Sequence, residues 1–229
     1  MNDEIAEVKE RYRRRKSLSA SLYDPLQPDV YMAHQEKERA LINWLAWSGL
    51  APVHDKSLLE VGCGSGTNLQ QMLRLGFQPE NLKGNELLAE RLAAAHRQLP
   101  AEIELFQGDA AALDLPKESF DVVYQSTVFS SILDDLFQQE LAERMWGWVK
   151  PGGGMLWYDF IYDNPANPDV RGMPVRRIRE LFPQGDIKIW RITLAPPISR
   201  FVTKIHPALY TVFNAIPLLR THVLCWINK

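Results

Sequence analysis

The sequence has little cysteine, little net charge and no signal-peptide pattern, and each absence excludes a class of protein. Two cysteines, Cys63 and Cys225, are too few and too far apart for a disulfide framework or a cysteine-based metal site. A net charge of −2 predicts no general attraction to nucleic acid, so no DNA partner is expected. The first sixteen residues are charged throughout and lack an apolar signal core. We therefore expect a cytoplasmic location.

The composition predicts one folded domain. The chain has 229 residues, of which 46% are hydrophobic and 24% are charged, which is sufficient for a full core without division into two units. We expect an amino-terminal helical cap region over residues 1–50 and a core over residues 51–229.

The most informative segment, residues 58–68, reads LLEVGCGSGTN. Its apolar start is typical of a buried parallel strand. Gly62, Gly64 and Gly66 then remove every second β-carbon, which predicts a turn where a ligand lies against bare backbone. Thr67 or Asn68 is expected to cap the helix that follows.

Two carboxylates flank this turn. The spacing is Gly-x-Gly-x-Gly rather than the Gly-x-Gly-x-x-Gly of dinucleotide sites, and Glu60 precedes the first glycine by two residues. A carboxylate at that point repels a pyrophosphate and suits a cationic ligand. Glu86 follows Gly66 by twenty residues (86 − 66), the distance at which a carboxylate meets a ribose diol.

These features resemble motif I of the class I S-adenosylmethionine-dependent methyltransferases, and further motifs follow in that family's order. Glu86 matches the ribose-binding acid, and Asp109 and Ala110 match the acid and the amide that hold adenine. Residues 120–123 match the fourth strand, and residues 150–153 match the turn before the fifth. The resemblance implies S-adenosyl-L-methionine as the cofactor, S-adenosyl-L-homocysteine as the product, and no metal.

The resemblance also implies a set of cofactor-binding residues. In related methyltransferases a helix equivalent to residues 31–49 covers the cofactor, which makes Tyr31, His34 and Gln35 candidates for its methionine end. Plain core packing is the alternative for these side chains. The full set is Glu60, Gly62, Cys63, Gly64, Gly66, Asn68, Glu86, Leu87, Asp109, Ala110, Gln125, Ser126, Tyr31 and Gln35.

The alternation of strands and helices predicts an α/β fold. We expect a Rossmann-like, seven-stranded, mostly parallel sheet with an antiparallel last strand that pairs with the sixth, and helices on both faces. The expected strands lie near residues 57–61, 82–86, 102–107, 120–125, 154–160, 187–193 and 221–229, and the expected helices lie near residues 31–49, 67–75, 87–98, 136–149, 175–182 and 207–216.

Methyl transfer from a sulfonium imposes few residues on the acceptor side, because the donor is already activated. A hydroxyl acceptor benefits from a general base. Asp159 is the first candidate, and His206 and Tyr162 are the other catalytic candidates. Alternatively, Asp159 caps a turn or pairs with Arg171. Residues 125–129 lack the Asn-Pro-Pro-Tyr or Asp-Pro-Pro-Tyr pattern of enzymes that methylate amide or exocyclic base nitrogens, which argues against those substrates.

Residues 195–220 are an apolar and basic insertion before the last strand, where this family usually builds its substrate lid. The segment contains no acid, and Lys204, Pro207 and Pro217 interrupt it, so it is not expected to span a bilayer. Two alternatives stay open. A helix here lies on an anionic membrane surface or covers a lipid-phosphate substrate, or it packs on the core.

A second, looser resemblance concerns the acceptor. Residues 23–39, 157–183 and 216–227 look like a bacterial branch of these methyltransferases found with surface-polysaccharide biosynthesis enzymes. This resemblance implies O-methylation of a small-molecule or saccharide hydroxyl, including a lipid-linked one, at a cytoplasmic location or at the inner membrane face.

Two other functions stay open at this point. One is an RNA-modifying methyltransferase that contacts phosphates through the basic residues of 11–16 and 176–179. For residues 11–16, a solvated helix face or a loose arm is the favoured interpretation. The other function is a non-catalytic module that binds the cofactor and scaffolds a biosynthetic complex.

Overall fold

The computed structural model of the protein describes residues 2–16 and 24–229. The side chains of Arg15 and Lys16, and residue Tyr23, lie outside the described residues. The helices are α1 Asn2–Lys16, α2 Pro28–Ser48, α3 Thr67–Arg74, α4 Ala89–Gln98, α5 Asp135–Trp148, α6 Val175–Leu181, α7 Pro196–Ile205 and α8 Ala208–Asn214. The strands are β1 Leu58–Val61, β2 Leu82–Glu86, β3 Glu104–Gln107, β4 Phe120–Ser126, β5 Val149–Phe160, β6 Asp186–Leu194 and β7 Arg220–Asn228.

The seven strands form one sheet in the order β3-β2-β1-β4-β5-β7-β6. Strands β1 to β5 run parallel, and β7 pairs antiparallel with both β5 and β6. The predicted fold class is therefore confirmed, including the antiparallel pairing of the last strand with the sixth. Because the parallel strands end at one edge, Val61, Glu86 and Ser126 lie along the same border of the sheet.

Strand β5 begins five residues before its predicted start, at Val149. The expected turn at residues 150–153 lies inside this strand as an irregularity, where the register with β4 shifts and Gly152 has φ of +77°. These residues also hydrogen-bond with the end of the chain. The N–H of Gly152 donates to the carbonyl of Lys229 at 3.0 Å, and the N–H of Lys229 donates to the carbonyl of Gly153 at 2.9 Å. A β-carbon at Gly153 would lie 2.6 Å from the carbonyl oxygen of Asp121, so close strand packing requires glycine at this position.

Helices cover both faces of the sheet. On one face, α1, α5 and α6 contribute Val8, Met145, Ile178 and their neighbours to a core built on alternate residues of the strands. On the other face, α2, α3 and α4 bury a second core, in which Trp44 packs on Trp226 with ring centroids 5.4 Å apart. Trp47 of α2 lies outside this core: it is 50% exposed and makes a T-shaped ring contact with Trp190.

The segment between β6 and β7 folds into two short helices, α7 and α8, and the sequence predicted only the second. Val202 and Tyr210 are buried with Leu194 in a third, small core. This core packs the two helices against α2 and β6. Among the described residues, no helix has the length and apolar content needed to cross a bilayer.

The basic run in α1 is used partly to hold this helix to the core. The Arg11 guanidinium is buried, donates to both carboxylate oxygens of Glu4 at 2.9 and 3.0 Å, and donates to the carbonyl of Ser131 at 3.0 Å. Arg14 pairs with Asp169 at 2.5 Å. The expectation of a solvated face or a loose arm is wrong at Arg11, which is buried, whereas the Arg14 side chain is 49% exposed.

Candidate functional site

The glycine turn after β1 is packed by side chains of the protein itself. Gly62 has φ of +70°, and a β-carbon there would lie 2.4 Å from Val128 Cγ2. Gly66 has φ of +91°, and a β-carbon there would lie 2.7 Å from Leu99 Cδ1. Backbone conformation and close packing therefore require these two glycines, whatever contact they also make with a ligand.

The residue before α3 is Gly66, and no side chain caps the amino terminus of this helix. The prediction that Thr67 or Asn68 caps it is therefore wrong. Asn68 instead bridges an acid and a base. Its Nδ2 donates to Glu60 Oε1 at 2.6 Å, and its Oδ1 accepts from Lys37 Nζ at 2.9 Å.

Lys37 is a site residue that sequence reasoning missed. It belongs to α2, and its Nζ also donates to Ser126 Oγ at 3.1 Å and lies 4.4 Å from the centroid of the Tyr158 ring. The Lys37 ammonium therefore contacts side chains near the carboxyl ends of β4 and β5 and in the first turn of α3. The sequence placed α2 over this edge, but it did not indicate which side of the helix faces inward.

Glu60 and Lys37 form an electrostatically linked pair. Burial raises the pKa of Glu60 and lowers the pKa of Lys37, and the attraction between the two charges opposes both shifts. Glu60 Oε2 is buried and has no hydrogen-bond partner among the residues that the structure describes. Such an atom is costly unless a donor reaches it. The pair therefore offers an acceptor for an ammonium group and a cation for a carboxylate, as an amino-acid-like ligand requires.

Glu86 at the end of β2 is the second acid of the site, and it is also buried. Its Oε2 accepts the N–H of Gly64 at 2.9 Å, and its Oε1 accepts the N–H of Leu88 at 2.8 Å. Arg91 Nη1 lies 4.0 Å from the same carboxylate, and the Arg91 guanidinium lies over the Tyr12 ring at 5.2 Å. The acid is thus fixed by two backbone groups, while Arg91 is a partner that a ligand can replace.

A pocket opens beside this acid, between α1 and the carboxyl ends of β1, β2 and β4. Its cavity is about 100 Å³, which is smaller than the range of roughly 300–1,000 Å³ for drug-sized ligands. Side chains such as Arg91 and Tyr12 must therefore move to admit one. The lining residues include Ile5, Val8, Tyr12, Gly62, Glu86, Leu87, Gly108, Asp109, Ala110, Ser126 and Val128.

Six residues predicted to bind cofactor line this pocket, namely Gly62, Glu86, Leu87, Asp109, Ala110 and Ser126. The Asp109 carboxylate also accepts the N–H of Ala111 at 2.9 Å and so shapes its own turn. The contribution of α1 was not predicted, although Ile5, Val8 and Tyr12 stand at helical spacings of three and four, which indicate one inward face.

The other predicted cofactor residues lie behind the pocket or away from it. The Cys63 side chain is buried, and a β-carbon at Gly84 would lie 3.0 Å from its Sγ. Gln125 Nε2 donates to the carbonyl of Tyr158 at 3.3 Å, and its Oε1 accepts the N–H of Val128 at 3.0 Å, so this side chain holds the loop after β4. Tyr31 is 55% exposed and Gln35 is half-buried.

A second group of polar side chains, whose assembly was not predicted, lies around Tyr158 on the α2 side of the sheet. The Tyr158 hydroxyl hydrogen-bonds with Thr193 Oγ1 at 3.0 Å, and its ring stacks on His222 with centroids 5.2 Å apart. Burial, with a smaller effect of the Lys37 charge, lowers the pKa of His222 to about 4. The imidazole is therefore neutral at pH 7. This group adjoins the Lys37 ammonium and provides a polar wall beside it.

Asp159 is fully buried on the opposite face of β5. One carboxylate oxygen accepts the N–H of Ser130 at 3.2 Å, and the other accepts the N–H of Phe160 at 3.0 Å. Burial raises its pKa to about 7. Arg171 pairs with Asp135 rather than with Asp159, so the suggested Asp159–Arg171 pair is wrong. The pKa suits a general base, but the enclosed location favours a role in holding the loop after β4.

The other two catalytic candidates occupy different environments. His206 follows α7, is exposed, and accepts the N–H of Ala208 on its Nδ1 at 3.1 Å, so it shapes the turn into α8. Tyr162 is 50% exposed and lines a separate surface hollow of about 440 Å³ with Arg171 and Arg177. Neither residue lines the pocket beside Glu86.

The described residues contain no group of three or more histidine, cysteine, aspartate or glutamate side chains arranged to hold a metal ion. The acid-rich loop after β5 uses its polar atoms locally. Asp163 Oδ1 accepts the N–H of Gly172 at 2.8 Å, and Asn164 Oδ1 accepts the N–H of Ala166 at 3.1 Å.

Residues 58–153 match the family model described as "Methyltransferase domain". The match begins with β1 and ends in β5, and so includes the glycine turn, Glu86 and Asp109. Together with the seven-stranded sheet, it identifies the chain as carrying a class I S-adenosylmethionine-dependent methyltransferase domain.

Curated relatives share part of the chain. A fatty-acid O-methyltransferase of Mycolicibacterium smegmatis is 35% identical over 113 residues, which are 48% of this chain and 39% of that protein. A sterol 24-C-methyltransferase of Gibberella zeae is 29% identical over 135 residues, which are 56% of this chain and 33% of that protein. The chain thus spans less than half the length of these relatives.

Solved structures agree on the fold. A S-adenosylmethionine-dependent methyltransferase from Thermotoga maritima aligns with a TM-score of 0.63 at 15% identity, covering 98% of each chain. One from Mesorhizobium loti aligns with a TM-score of 0.60 at 17% identity, covering 82% of this chain and 97% of that chain. At such identities the likeness concerns the fold alone.

The residues of the site fit the cofactor that this family implies. Glu60 Oε2 is a buried acceptor without a partner, and Lys37 adjoins it. Glu86 lies at the edge of a neighbouring strand and borders the pocket. Glu60 and Lys37 suit the ammonium and the carboxylate of a methionine moiety. Glu86 suits the diol of a ribose.

Proposed function

We propose that the protein transfers a methyl group from S-adenosylmethionine to an oxygen atom of a small, lipid-like or lipid-linked acceptor, such as a saccharide hydroxyl on a lipid carrier. The observation that carries the proposal is the unpartnered, buried oxygen of Glu60, bridged by Asn68 to Lys37 at the end of a methyltransferase glycine turn. A donor with an amino-acid tail supplies the missing hydrogen-bond partner.

The bound cofactor supplies an already activated methyl group. The protein's own residues hold the groups around it. Glu60 and Lys37 would hold the two charges of the methionine tail, and Glu86 would hold the ribose after Arg91 moves aside. Asp109 and Ala110 would border the adenine. The enclosing helices α1 and α2 exclude water, and alignment in a dry site accounts for most of the acceleration expected in such a reaction.

The acceptor would approach on the α2 side of the sheet. Tyr158, Thr193 and His222 line this side beside Lys37, and α7 and α8 cover the adjoining surface as a lid. The matched fatty-acid and sterol methyltransferases carry lipid acceptors in their names, which supports an acceptor with an apolar part. The apolar and basic sequence of residues 195–220 supports a lipid phosphate in the same molecule.

A methylation screen tests the proposal. Labelled S-adenosylmethionine is incubated with the protein and with fatty acids, sterols, sugars, lipid-linked saccharides and RNA, and label in each fraction is counted. We expect incorporation into an amphipathic acceptor. Label only in RNA, or only in water-soluble metabolites, would contradict the acceptor class.

A binding measurement beside this screen separates an enzyme from a cofactor-binding scaffold. S-adenosylhomocysteine binding is measured by calorimetry for the wild type, for Glu86→Gln and for the exposed control Glu102→Gln. Loss of one charged hydrogen-bond acceptor should weaken binding roughly tenfold to hundredfold at Glu86 and leave the control unchanged. Binding without turnover on any acceptor would favour the scaffold, and absence of binding would overturn the proposal entirely.

A further inference from the structure

The outer face of α7 has an unusual composition for a solvated helix. The residues that point away from the core are Pro197, Arg200, Phe201, Lys204 and Ile205, spaced at three and four along the chain. Phe201 is 66% exposed and Ile205 is 65% exposed. The inner face carries Ser199, Val202 and Thr203, which are buried. The helix thus buries small and β-branched residues on its inner face and is both apolar and basic on its outer face.

The same character continues through α8 and into the residues before β7. Val212 is 62% exposed, Ile216 is 47% exposed and Leu218 is 82% exposed. Together with Phe201 and Ile205, these make five of the eleven large exposed hydrophobic side chains found in the described part of the chain, yet residues 195–220 are a small fraction of it. The concentration marks an interaction surface rather than a scatter of single exposed residues.

The charged side chains that this surface itself contributes are all basic. Residues 195–220 contain no acid. Arg200 Nε lies 3.8 Å from Asp29 Oδ2. Asp29 belongs to α2, so one acid of a neighbouring helix meets this face. The Arg220 guanidinium donates to the backbone carbonyls of Asn214 and Arg191. Lys204 is exposed at the centre of the α7 face. Three cations therefore oppose one acid.

We propose that this outer surface of residues 195–220, the α7–α8 face, binds the surface of anionic phospholipid bilayers. Exposed apolar side chains enter the boundary between headgroups and acyl chains, and lysine or arginine at the same level is attracted to anionic headgroups. The apolar residues and the cations lie on the same helix face here, as this mode of binding requires. Val202 on the inner face of α7 stays packed with Tyr210 of α8 in the small core, so docking needs no unfolding.

The proposal does not depend on the acceptor of the methyl group. It concerns a surface that leaves the pocket beside Glu86 untouched, and the wild-type chain can be tested without cofactor. It nevertheless places the α2 side of the sheet near a source of lipid acceptors, because Glu36 of α2 accepts hydrogen bonds from Tyr210 and Asn214 of α8.

Vesicle flotation tests the proposal with the full chain. Vesicles of phosphatidylcholine alone are compared with vesicles of equal parts phosphatidylcholine and phosphatidylglycerol. The wild type should float with the anionic vesicles and much less with the neutral ones. Phe201→Ser combined with Ile205→Ser should reduce the bound fraction about tenfold or more, since burial of each apolar side chain contributes about 1.5 kcal/mol or more.

Matched controls make the test specific. Lys204→Glu should also weaken anionic binding about tenfold or more, since each surface cation contributes about 1 kcal/mol, whereas Lys117→Glu should not. Leu136→Ser replaces an equally exposed leucine on α5 and should have no effect, in contrast to Leu218→Ser. Leu218 lies outside α7, in the short 3₁₀ turn Pro217–Leu219 before β7, and provides a second variant if the α7 double change impairs folding.

Three results would overturn the proposal. The wild type fails to bind anionic vesicles, or it binds them equally well after the Phe201, Ile205 and Leu218 changes. In the third, size-exclusion chromatography with light scattering finds a dimer that the same changes dissociate, which would assign the surface to a second copy of the chain.

Discussion

Glu36 and Tyr210 form a buried hydrogen bond that joins the helix covering the donor site to the helix before the last strand. The Tyr210 hydroxyl donates to Glu36 Oε2 at 2.7 Å, and the N–H of Thr193 donates to the same oxygen at 2.9 Å. Thr193 in turn meets the Tyr158 hydroxyl. One carboxylate therefore connects α2, β6 and α8 around the proposed acceptor side.

Replacing Tyr210 with phenylalanine should destabilise the protein. The change leaves a buried carboxylate without one of its donors, and we expect the free energy of unfolding to fall by about 1–3 kcal/mol. Urea denaturation measures this difference. Tyr162→Phe removes a hydroxyl from a half-exposed ring and should change the stability by less than about 0.5 kcal/mol. Equal effects of the two substitutions would show that the Glu36 hydrogen bond contributes nothing.

Asp159 should make the stability depend on pH. Burial raises its pKa to about 7, above the value of about 4 in an unfolded chain. Its contribution to stability is therefore fully present below about pH 4 and is lost as the pH rises to about 7. In Asp159→Asn this dependence disappears, which should change the slope of stability against pH by up to about 1.4 kcal/mol per pH unit.

Urea denaturation at pH 5, 6 and 7 measures the slopes for the wild type, Asp159→Asn and the exposed control Asp114→Asn. We expect the wild type to lose stability relative to Asp159→Asn across this range, and Asp114→Asn to follow the wild type. Parallel curves for all three proteins would mean that Asp159 titrates as an ordinary surface acid.

The contact of α1 with the core should support donor binding. Arg11 is the buried anchor of this helix, and Ile5, Val8 and Tyr12 on the same helix line the pocket. We therefore expect Arg11→Ala to weaken S-adenosylhomocysteine binding severalfold, and to increase amide hydrogen exchange over residues 4–14. Arg13, whose side chain is 75% exposed, provides the control, since Arg13→Ala leaves the anchor intact. An unchanged affinity for Arg11→Ala would separate α1 from donor binding.

Deletion of residues 221–229 should abolish folding. β7 pairs along its whole length with β5 and with β6, and its side chains from Val223 to Ile227 are all buried. The shortened chain should be found in the insoluble fraction after expression. A soluble, cooperatively unfolding product would disprove the requirement.

The order of elements could be predicted from the sequence because each strand is a short apolar segment followed by a clear turn or helix. The glycine turn, Glu60 and Glu86 were likewise found from local spacing, since the residues that shape a turn are neighbours in the chain. Residues 150–153 show the limit of local spacing. Their glycines indicate the irregular backbone there, but not the hydrogen bonds with Lys229, which is distant in the sequence.

The rest of the site depends on contacts between distant segments. Lys37 reaches Asn68 and Ser126 only because α2 packs over the sheet at a particular rotation, and its spacing along α2 does not indicate that rotation. The same holds for Tyr12 beside Arg91. Polar side chains with tertiary partners therefore escaped prediction, whereas the glycines and acids of the local motif did not.

The insertion of β7 between β5 and β6 has a consequence for synthesis on the ribosome. β6 has no other neighbour in the sheet, so it remains unpaired until residues 220–228 are available. During that interval β5 exposes an open edge that other chains can pair with. The nascent protein is therefore most vulnerable to aggregation just before its last strand emerges, and slow translation of that stretch should prolong its need for chaperones.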